Sequence, residues 1–353
     1  MRNLYHKRSS VSPDERYRTM TLIPAYMTTT LDWPTNWDHI FGTSRPLILD
    51  VGFGYGHSLD YLRTHRPNHN IIGLEVDNIS LGKAERRIIR ERWDNVRVVH
   101  GFAETALAHV FEPESLDEIH INFPDPWFKA RHAGKRLIKD ATVRAMASRL
   151  KTGGWLYLAT DIIEYAEMSH QVLQAVPYLT NTLDTDWVNQ RTEPFITKYE
   201  ARAFEEGRTG CYFVYRRNEL PMPEVPLNKE LVMPHIVFNT SEELSHLKDA
   251  PKPEDYQDNN IAIRFLNRYI GGNSALFEVF IHEPTLEQRI AFALVQKEPQ
   301  PSPNARTYTL KLSALGHPRS TAGVHKAARL LFDALKAVTT DIEIIQDKVK
   351  SNA

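Results

Sequence analysis

Leu47-Ile48-Leu49-Asp50-Val51-Gly52-Phe53-Gly54-Tyr55-Gly56 decides how this chain is read. An apolar run of strand length leads straight into three glycines at alternate positions. Lacking Cβ atoms, glycines let the backbone turn tightly and come close to a ligand. A helix starting near His57 would then aim its free N–H groups at whatever occupies the turn. The dinucleotide pattern G-x-G-x-x-G would need its third glycine at position 57, and that residue is His57. An acid, Asp50, precedes the glycines instead. A carboxylate suits the ammonium of an amino-acid moiety and repels a pyrophosphate. Glu75, in Gly73-Leu74-Glu75-Val76-Asp77, follows about 20 residues on, where doubly wound folds set an acid on ribose hydroxyls. These residues together favour S-adenosylmethionine, held by Asp50, Gly52, Gly54, Gly56 and Glu75, over a nicotinamide cofactor. The glycines alone would equally make a tight strand–helix turn capped by Asp50.

Around this loop, short apolar runs alternate with longer helical patterns from Leu47 to about Arg217, the mark of an α/β fold with a doubly wound, mostly parallel sheet. Strands are expected at Leu47–Val51, Asn70–Val76, Val96–His100, Leu116–Phe123, Trp155–Thr160 and Cys211–Arg216. Helices are expected near His57–His65, Ser80–Trp93, Asp140–Leu150 and Ile163–Ala175, on both faces of the sheet. Further on, Ser274–His282, Gln288–Lys297 and Arg306–Ala314 read as strands, and Ser320–Val338 as a helix with one apolar stripe. The chain therefore divides into an irregular arm (1–41), an α/β domain (42–218), a Pro-rich acidic linker (219–260) and a smaller α+β domain (261–353).

Forty-three Lys+Arg against 44 Asp+Glu leave a net charge of −1 over 353 residues, which excludes a uniformly basic nucleic-acid-coating protein. It does not exclude a local patch, because the balance is a cancellation. Pro221–Asn260 holds eight acids and three bases, while Lys129–Lys151 holds eight Lys/Arg and one acid, Asp140. The single cysteine, Cys211, excludes an intramolecular disulfide and any multi-cysteine zinc site, and no metal is expected. The chain shows neither a signal-peptide core nor an apolar run of about 18 residues, so a cytoplasmic protein without a membrane partner is expected.

His120-Ile121-Asn122-Phe123-Pro124-Asp125-Pro126-Trp127 ends the fourth expected strand of the α/β domain. Residues just past the carboxyl end of a central strand face the ligand crevice. Two prolines stiffen the backbone on either side of Asp125. Lys129, Arg131, Lys135 and Arg136 follow at once, a density that suits phosphate contacts to a polyanion, although a basic run is more often a solvated face.

With these motifs in view, the chain resembles the tRNA (guanine-N7)-methyltransferases of the single-chain bacterial type. The resemblance rests on Leu49-Asp50-Val51-Gly52-Phe53-Gly54-Tyr55-Gly56, Gly73-Leu74-Glu75-Val76 and Asn122-Phe123-Pro124-Asp125-Pro126-Trp127 with Lys129. Ala159-Thr160-Asp161 and Thr197-Lys198-Tyr199-Glu200 extend it, and it covers roughly Pro46–Arg217. It implies a class I, Rossmann-like fold that binds S-adenosylmethionine and methylates a guanine of tRNA to 7-methylguanosine, at the variable-loop position conventionally numbered 46. It further implies Asp125 at the catalytic centre and substrate contacts at Lys129, Asp161, Thr197, Lys198 and Glu200.

Two departures stand out. The family usually has a small residue and an Asp on the adenine side, where this chain has Phe102 and, two residues on, Glu104; either Glu104 substitutes or Phe102 stacking and backbone amides hold the base. Ala133-Gly134 occupies loop positions where the family often has His or Asn followed by Lys. Asp161 serves equally as N-cap of a helix near Ile163 or as a substrate contact, and Thr197–Glu200 has the spacing of a capping box. An exocyclic-amine methyltransferase acting on RNA and a non-catalytic tRNA-binding protein of the same fold are the rival readings. The oligomeric state stays open between monomer and homodimer. The C-terminal domain reads as either a second tRNA-contacting surface or a packed accessory domain.

Overall fold

Successive residues of a strand point to opposite sides of its sheet, and in Leu47–Val51 both sides are buried. Leu47, Leu49 and Val51 join one core while Ile48 joins another, so this strand belongs in the middle of a sheet covered on both faces. The computed structural model, which describes residues 26–127, 129–190, 198–221, 230–297, 305–339 and 341–350, places it there.

The first sheet contains β1 (Tyr26–Met27), β2 (Leu47–Val51), β3 (Asn70–Glu75), β4 (Val96–His100), β5 (Leu116–Asn122), β6 (Leu150–Thr160), β7 (Leu179–Asn181) and β8 (Cys211–Arg217). Their order across the sheet is β1-β4-β3-β2-β5-β6-β8-β7. All neighbours are parallel except β8, which runs antiparallel to β6 and β7. Helix α1 (Trp37–Phe41) precedes β2. Helices α2 (His57–His65) and α3 (Asn78–Glu91) cover the Ile48 face through Leu59, Leu62, Leu81 and Ile88. The other face carries α4 (Ala103–Thr105) with its π-helical continuation Ala106–Val110, then α5 (Asp140–Arg149) and α6 (Ile163–Ala175).

Three expectations are corrected. From Tyr26 onward the supposed irregular arm is built in: Tyr26 and Met27 pair with Val99 and His100, and α1 buries Trp37 and Phe41. Those pairings and that burial are long-range, so local composition gave no sign of them. Strand β6 begins at Leu150 rather than Trp155, because the chain leaves α5 in extended backbone and Leu150 pairs with Leu116.

The expected linker 219–260 holds a strand of the second sheet, β9 (His235–Thr240), in which Ile236 and Phe238 are fully buried. Its alternation was hidden among prolines and acids. Short helices α7 (Lys198–Glu205) and α8 (Leu244–Leu247) lie before and after β9.

The second sheet adds β10 (Tyr256–Gln257), β11 (Ala262–Ile270), β12 (Ser274–Glu283), β13 (Leu286–Gln296), β14 (Arg306–Leu312) and β15 (Glu343–Asp347). Its order is β10-β11-β12-β13-β14-β9-β15, antiparallel throughout. Helix α9 (Ala322–Lys336) lies on one face, packing Val324, Leu331, Phe332 and Leu335 against Phe238, Val279 and Phe292. No helix among the described residues is long and apolar enough to cross a membrane.

Inside the first domain, β5 carries a charged cluster. Burial pushes the Glu118 carboxyl up, but hydrogen bonds with His120 (2.8 Å) and Arg66 (2.9 Å) outweigh it and hold the group at about 2. A carboxyl depressed in the folded state stabilises above its ordinary pKa and loses that stability as pH falls through the folded value. Glu118 should therefore contribute on the order of 3 kcal/mol above pH ~4.5, vanishing towards pH 2. Urea unfolding from pH 2 to 6 is expected to show Glu118→Gln less stable at pH 6 and level with the parent near pH 2.

Candidate functional site

The order of the first sheet reverses between β2 and β5: the chain leaves β2 for β3 on one side and β5 for β6 on the other. Loops leaving two such strands part company and open a crevice at the carboxyl edge. The glycine loop follows β2 and the Asp125 loop follows β5, so the two meet there.

Gly52, Gly54 and Gly56 all take left-handed backbone, with φ of +71°, +54° and +77°. Side chains rarely adopt that region, which explains why glycine stands at each position. Gly56 ends the loop as the N-cap of α2, without a side-chain cap. Glu75 ties the loop to β3: Gly54 N–H donates to its Oε2 at 2.8 Å, and the N–H groups of Val76 and Asp77 donate to its Oε1 at 2.8 and 3.0 Å. The carboxylate is thus fixed at the strand end, with lone pairs left for ribose hydroxyls.

Asp50 differs from expectation. It is fully buried, on the Ile48 side of β2, where its carboxylate accepts the Ser58 hydroxyl of α2. The alternation of the strand places it on that covered face, where it braces the start of α2 against the loop.

At the carboxyl end of β4, Phe102 is 57% exposed and its ring lies open. Glu104 is ion-paired with Lys139 at 3.0 Å. Of the two adenine-side candidates, Phe102 has the more open side chain and Glu104 is engaged by Lys139.

The Pro124-Asp125-Pro126 turn is bracketed by two left-handed non-glycine residues, Phe123 (φ +53°) and Trp127 (φ +42°). Such conformations cost of order 1–3 kcal/mol each and persist only where the surroundings impose them. Here Phe123 N–H donates to the Ala159 carbonyl at 2.8 Å. Arg136 donates to the carbonyls of Pro126 at 3.2 Å and of Trp127 at 3.2 and 3.3 Å. Asp125 itself is exposed at the crest of the turn. It lies close enough to Tyr165 to add to the effect of burial, which pushes that phenol up to about 12.

Arg136 is therefore a positioning residue, and the expectation that it contacts substrate is corrected: its guanidinium is occupied by the loop. The same sorting applies along the whole basic run. Arg149 is fully buried, with Nε donating to the Leu107 carbonyl at 2.7 Å, and burial lowers its pKa. Arg144 pairs with Asp140, Lys139 with Glu104 and Lys151 with Asp117. Lys129, Arg131 and Lys135 remain exposed beside Asp125, with the Lys135 ammonium 5.1 Å from the Trp127 ring.

Next along the edge, Asp161 follows β6. Helix α6 takes Ile162 as its N-cap, so Asp161 is not the cap; it is ion-paired with Arg208. Burial raises the Cys211 thiol, and Asp161 adds to that shift. Glu200 is 2% exposed and accepts the Tyr212 hydroxyl. Lys198 begins α7, and Thr197 lies outside the described residues. Arg208 and Tyr212 were missed by sequence reasoning, because their partners are distant along the chain and no motif announces them.

A mostly parallel sheet in this order, closed by an antiparallel β8, with a glycine loop and an acid-bearing turn at its reversal, is the architecture of the Rossmann-like methyltransferases. The Methyltransf_4 model, which describes methyltransferases, matches residues 44–212. A tRNA (guanine-N(7)-)-methyltransferase of Burkholderia vietnamiensis is 36% identical over 217 residues, 62% of this chain and 85% of that protein. One from Burkholderia ambifaria is 41% identical over 182 residues, covering 52% and 71%. One from Paraburkholderia xenovorans is 34% identical over 217 residues, covering 62% and 83%. The chain belongs to the tRNA (guanine-N7)-methyltransferase family. Its second sheet lies outside the matched residues 44–212.

Arg136→Ala should release the Trp127 backbone. Single-turnover methyl transfer is expected to fall about tenfold or more through lost alignment, with cofactor affinity by calorimetry unchanged. An unaltered rate would show that the turn holds without its clamp.

Proposed function

We propose that the chain transfers the methyl group of S-adenosyl-L-methionine to guanine N7 of tRNA, at position 46 of the variable loop, giving 7-methylguanosine. One observation carries this reading: a glycine loop bound to Glu75 and a stiffened Asp125 turn face each other across the sheet's order reversal. The left-handed glycines leave room for a ligand backbone, Glu75 suits the ribose, and Phe102 offers a ring for the adenine. When bound, the cofactor supplies an electrophilic sulfonium methyl.

Guanine N7 carries its lone pair in the base plane, so no proton has to leave before transfer. The chain's task is alignment for an in-line approach rather than strong base catalysis. The imidazole part of the methylated base becomes positive, and a fixed carboxylate beside it stabilises that charge as it develops. Asp125 fills this role, and the N1–H and N2–H₂ edge on the far side of the base is left to Asp161 and Glu200. Because Phe123, Trp127 and Arg136 hold the turn, the carboxylate needs no reorganisation when charge appears.

Asp161 and Glu200 flank the base on the β6 side, each held by its own partner, Arg208 and Tyr212. Lys129, Arg131 and Lys135 meet phosphates and fix the polyanion's register. A guanine stacked within folded RNA presents no open edge, so the nucleotide leaves its stack to enter the crevice.

Bulk tRNA incubated with enzyme and cofactor, digested to nucleosides and analysed by mass spectrometry, should gain 7-methylguanosine. An N-methylated exocyclic amine would replace this reading with its rival. Chain cleavage at the modified base should map the site to position 46. Asp125→Ala should lower the single-turnover rate about a hundredfold or more, with tRNA still bound. Near-normal transfer by that variant would remove Asp125 from the mechanism.

A further inference from the structure

The described residues enclose a cleft of about 880 Å³ that lies away from the glycine loop. Its floor is the face of the second sheet that α9 leaves open, and its other wall is the Thr29–Asp32 segment of the first domain.

Cross-strand pairing shows what this floor presents, because paired residues share a face. Lys311 of β14 pairs with His235 of β9, and the N–H of Lys348, just past β15, donates to the His235 carbonyl. Lys348, His235 and Lys311 thus form a basic row across three neighbouring strands, with both lysines exposed. The next row on the same face is Gln346, Val237, Thr309 and Val295, an apolar and hydroxyl trough. The row beyond it holds Glu343, Asn239 and Thr307, with Lys297 beside Thr307, and the Asn239 side-chain amide donates to Glu343 at 3.2 Å. Of the acids on this face and its rim, Glu230 is paired with Arg319 at 2.8 Å and Glu343 accepts from Asn239, while Asp32 stands on the rim.

The position of the cleft follows from β1. Met27 pairs in parallel with His100, so Thr29–Asp32 leave the sheet at the carboxyl edge, the edge that carries the methyl-transfer crevice. Four strand spacings separate β1 from β5, roughly 20 Å. The two domains are also fastened together at this point. Arg319 Nε donates to the Thr29 carbonyl at 2.8 Å, and its guanidinium lies 4.7 Å from the Trp33 ring. Trp33 stacks on His109 at 3.9 Å, and His109 Nε2 is 3.0 Å from the Thr285 hydroxyl. Thr105 donates to the Thr285 carbonyl at 2.7 Å. The walls of the cleft are therefore set before any ligand arrives, which reduces the ordering cost of binding.

We infer that this open sheet face is a second docking surface for the tRNA: its sugar-phosphate backbone lies over the Val237–Val295 trough, with phosphates on Lys311 and Lys348. The inference rests on tRNA being the substrate. It makes the second domain a part of substrate recognition.

The test is steady-state methylation of tRNA by the full-length Lys311→Glu/Lys348→Glu double variant across a salt series. The KM for tRNA is expected to rise about tenfold near 0.1 M salt, and the log–log salt slope to flatten by about two units. Turnover at saturating tRNA and affinity for S-adenosyl-L-methionine should stay at parent values. Lys336→Glu, on α9 and hence on the covered side of the sheet, should leave KM unchanged. A parental KM and salt slope in the double variant overturn the inference, as does an equal loss in Lys336→Glu, which would make the effect one of net charge. A parent enzyme that forms no 7-methylguanosine defeats the functional reading instead. In that event tRNA binding by fluorescence anisotropy, on the same variants and salts, still decides whether this face holds the polyanion.

Discussion

The ring of Phe53 lies against Gly73, where even a single methyl on residue 73 would come within 2.7 Å of it. That close approach seats the glycine loop on the neighbouring strand. Because Phe53 is anchored, Gly52, Gly54 and Gly56 can hold their left-handed backbone, and Gly54 brings its N–H to Glu75. Asp50 and Ser58 brace the same loop from behind. What a cofactor meets is therefore a preformed cradle, fixed from two strands and a helix. A longer residue at 73 would push Phe53 out and release all of these contacts together.

The Asp125 turn solves the opposite problem. It has no glycine, and its prolines cannot donate hydrogen bonds, yet two of its flanking residues adopt a backbone that glycine would favour. The strain is borne by contacts from elsewhere: a strand carbonyl at Ala159 and the guanidinium of Arg136. Most of the basic run after the turn is structural in the same sense. Arg136 and Arg149 hold carbonyls, while Lys139, Arg144 and Lys151 answer nearby carboxylates. The cations that face outward beside Asp125 are fewer than the composition implied, and a second basic surface on the other domain gains weight accordingly.

Much of the first domain was legible from residues alone. Strands β2 and β4 and helices α2 and α6 have the expected bounds, because buried strands and amphipathic helices write their periods into local sequence. The glycine loop and the Asp125 turn were legible for a similar reason, since each is a local backbone requirement. Strand β9 was not, although its alternation is clear once its partners are known; neighbouring prolines and acids made the stretch look like a linker. Strand β1 is two residues long and owes its existence to β4.

The amino-acid sequence by itself determined the central elements of the first domain, the class of fold, the cofactor loop, the acid at the reversal point and, through five ordered motifs, the family. These are properties of short contiguous stretches, where backbone preference and periodicity act. Which charges are spent and which are free was decided only by the tertiary structure. Asp50 and Asp125 are both acids after or within a central strand, yet one is buried behind its loop and the other stands open. Arg136 and Lys135 are neighbours in sequence, yet one clamps a backbone and the other lies exposed beside Trp127. The basic row of the second sheet is assembled from residues far apart in the chain, paired across antiparallel strands. Burial and pairing are set by what packs alongside, and in a doubly wound fold and an antiparallel sheet those neighbours come from distant segments.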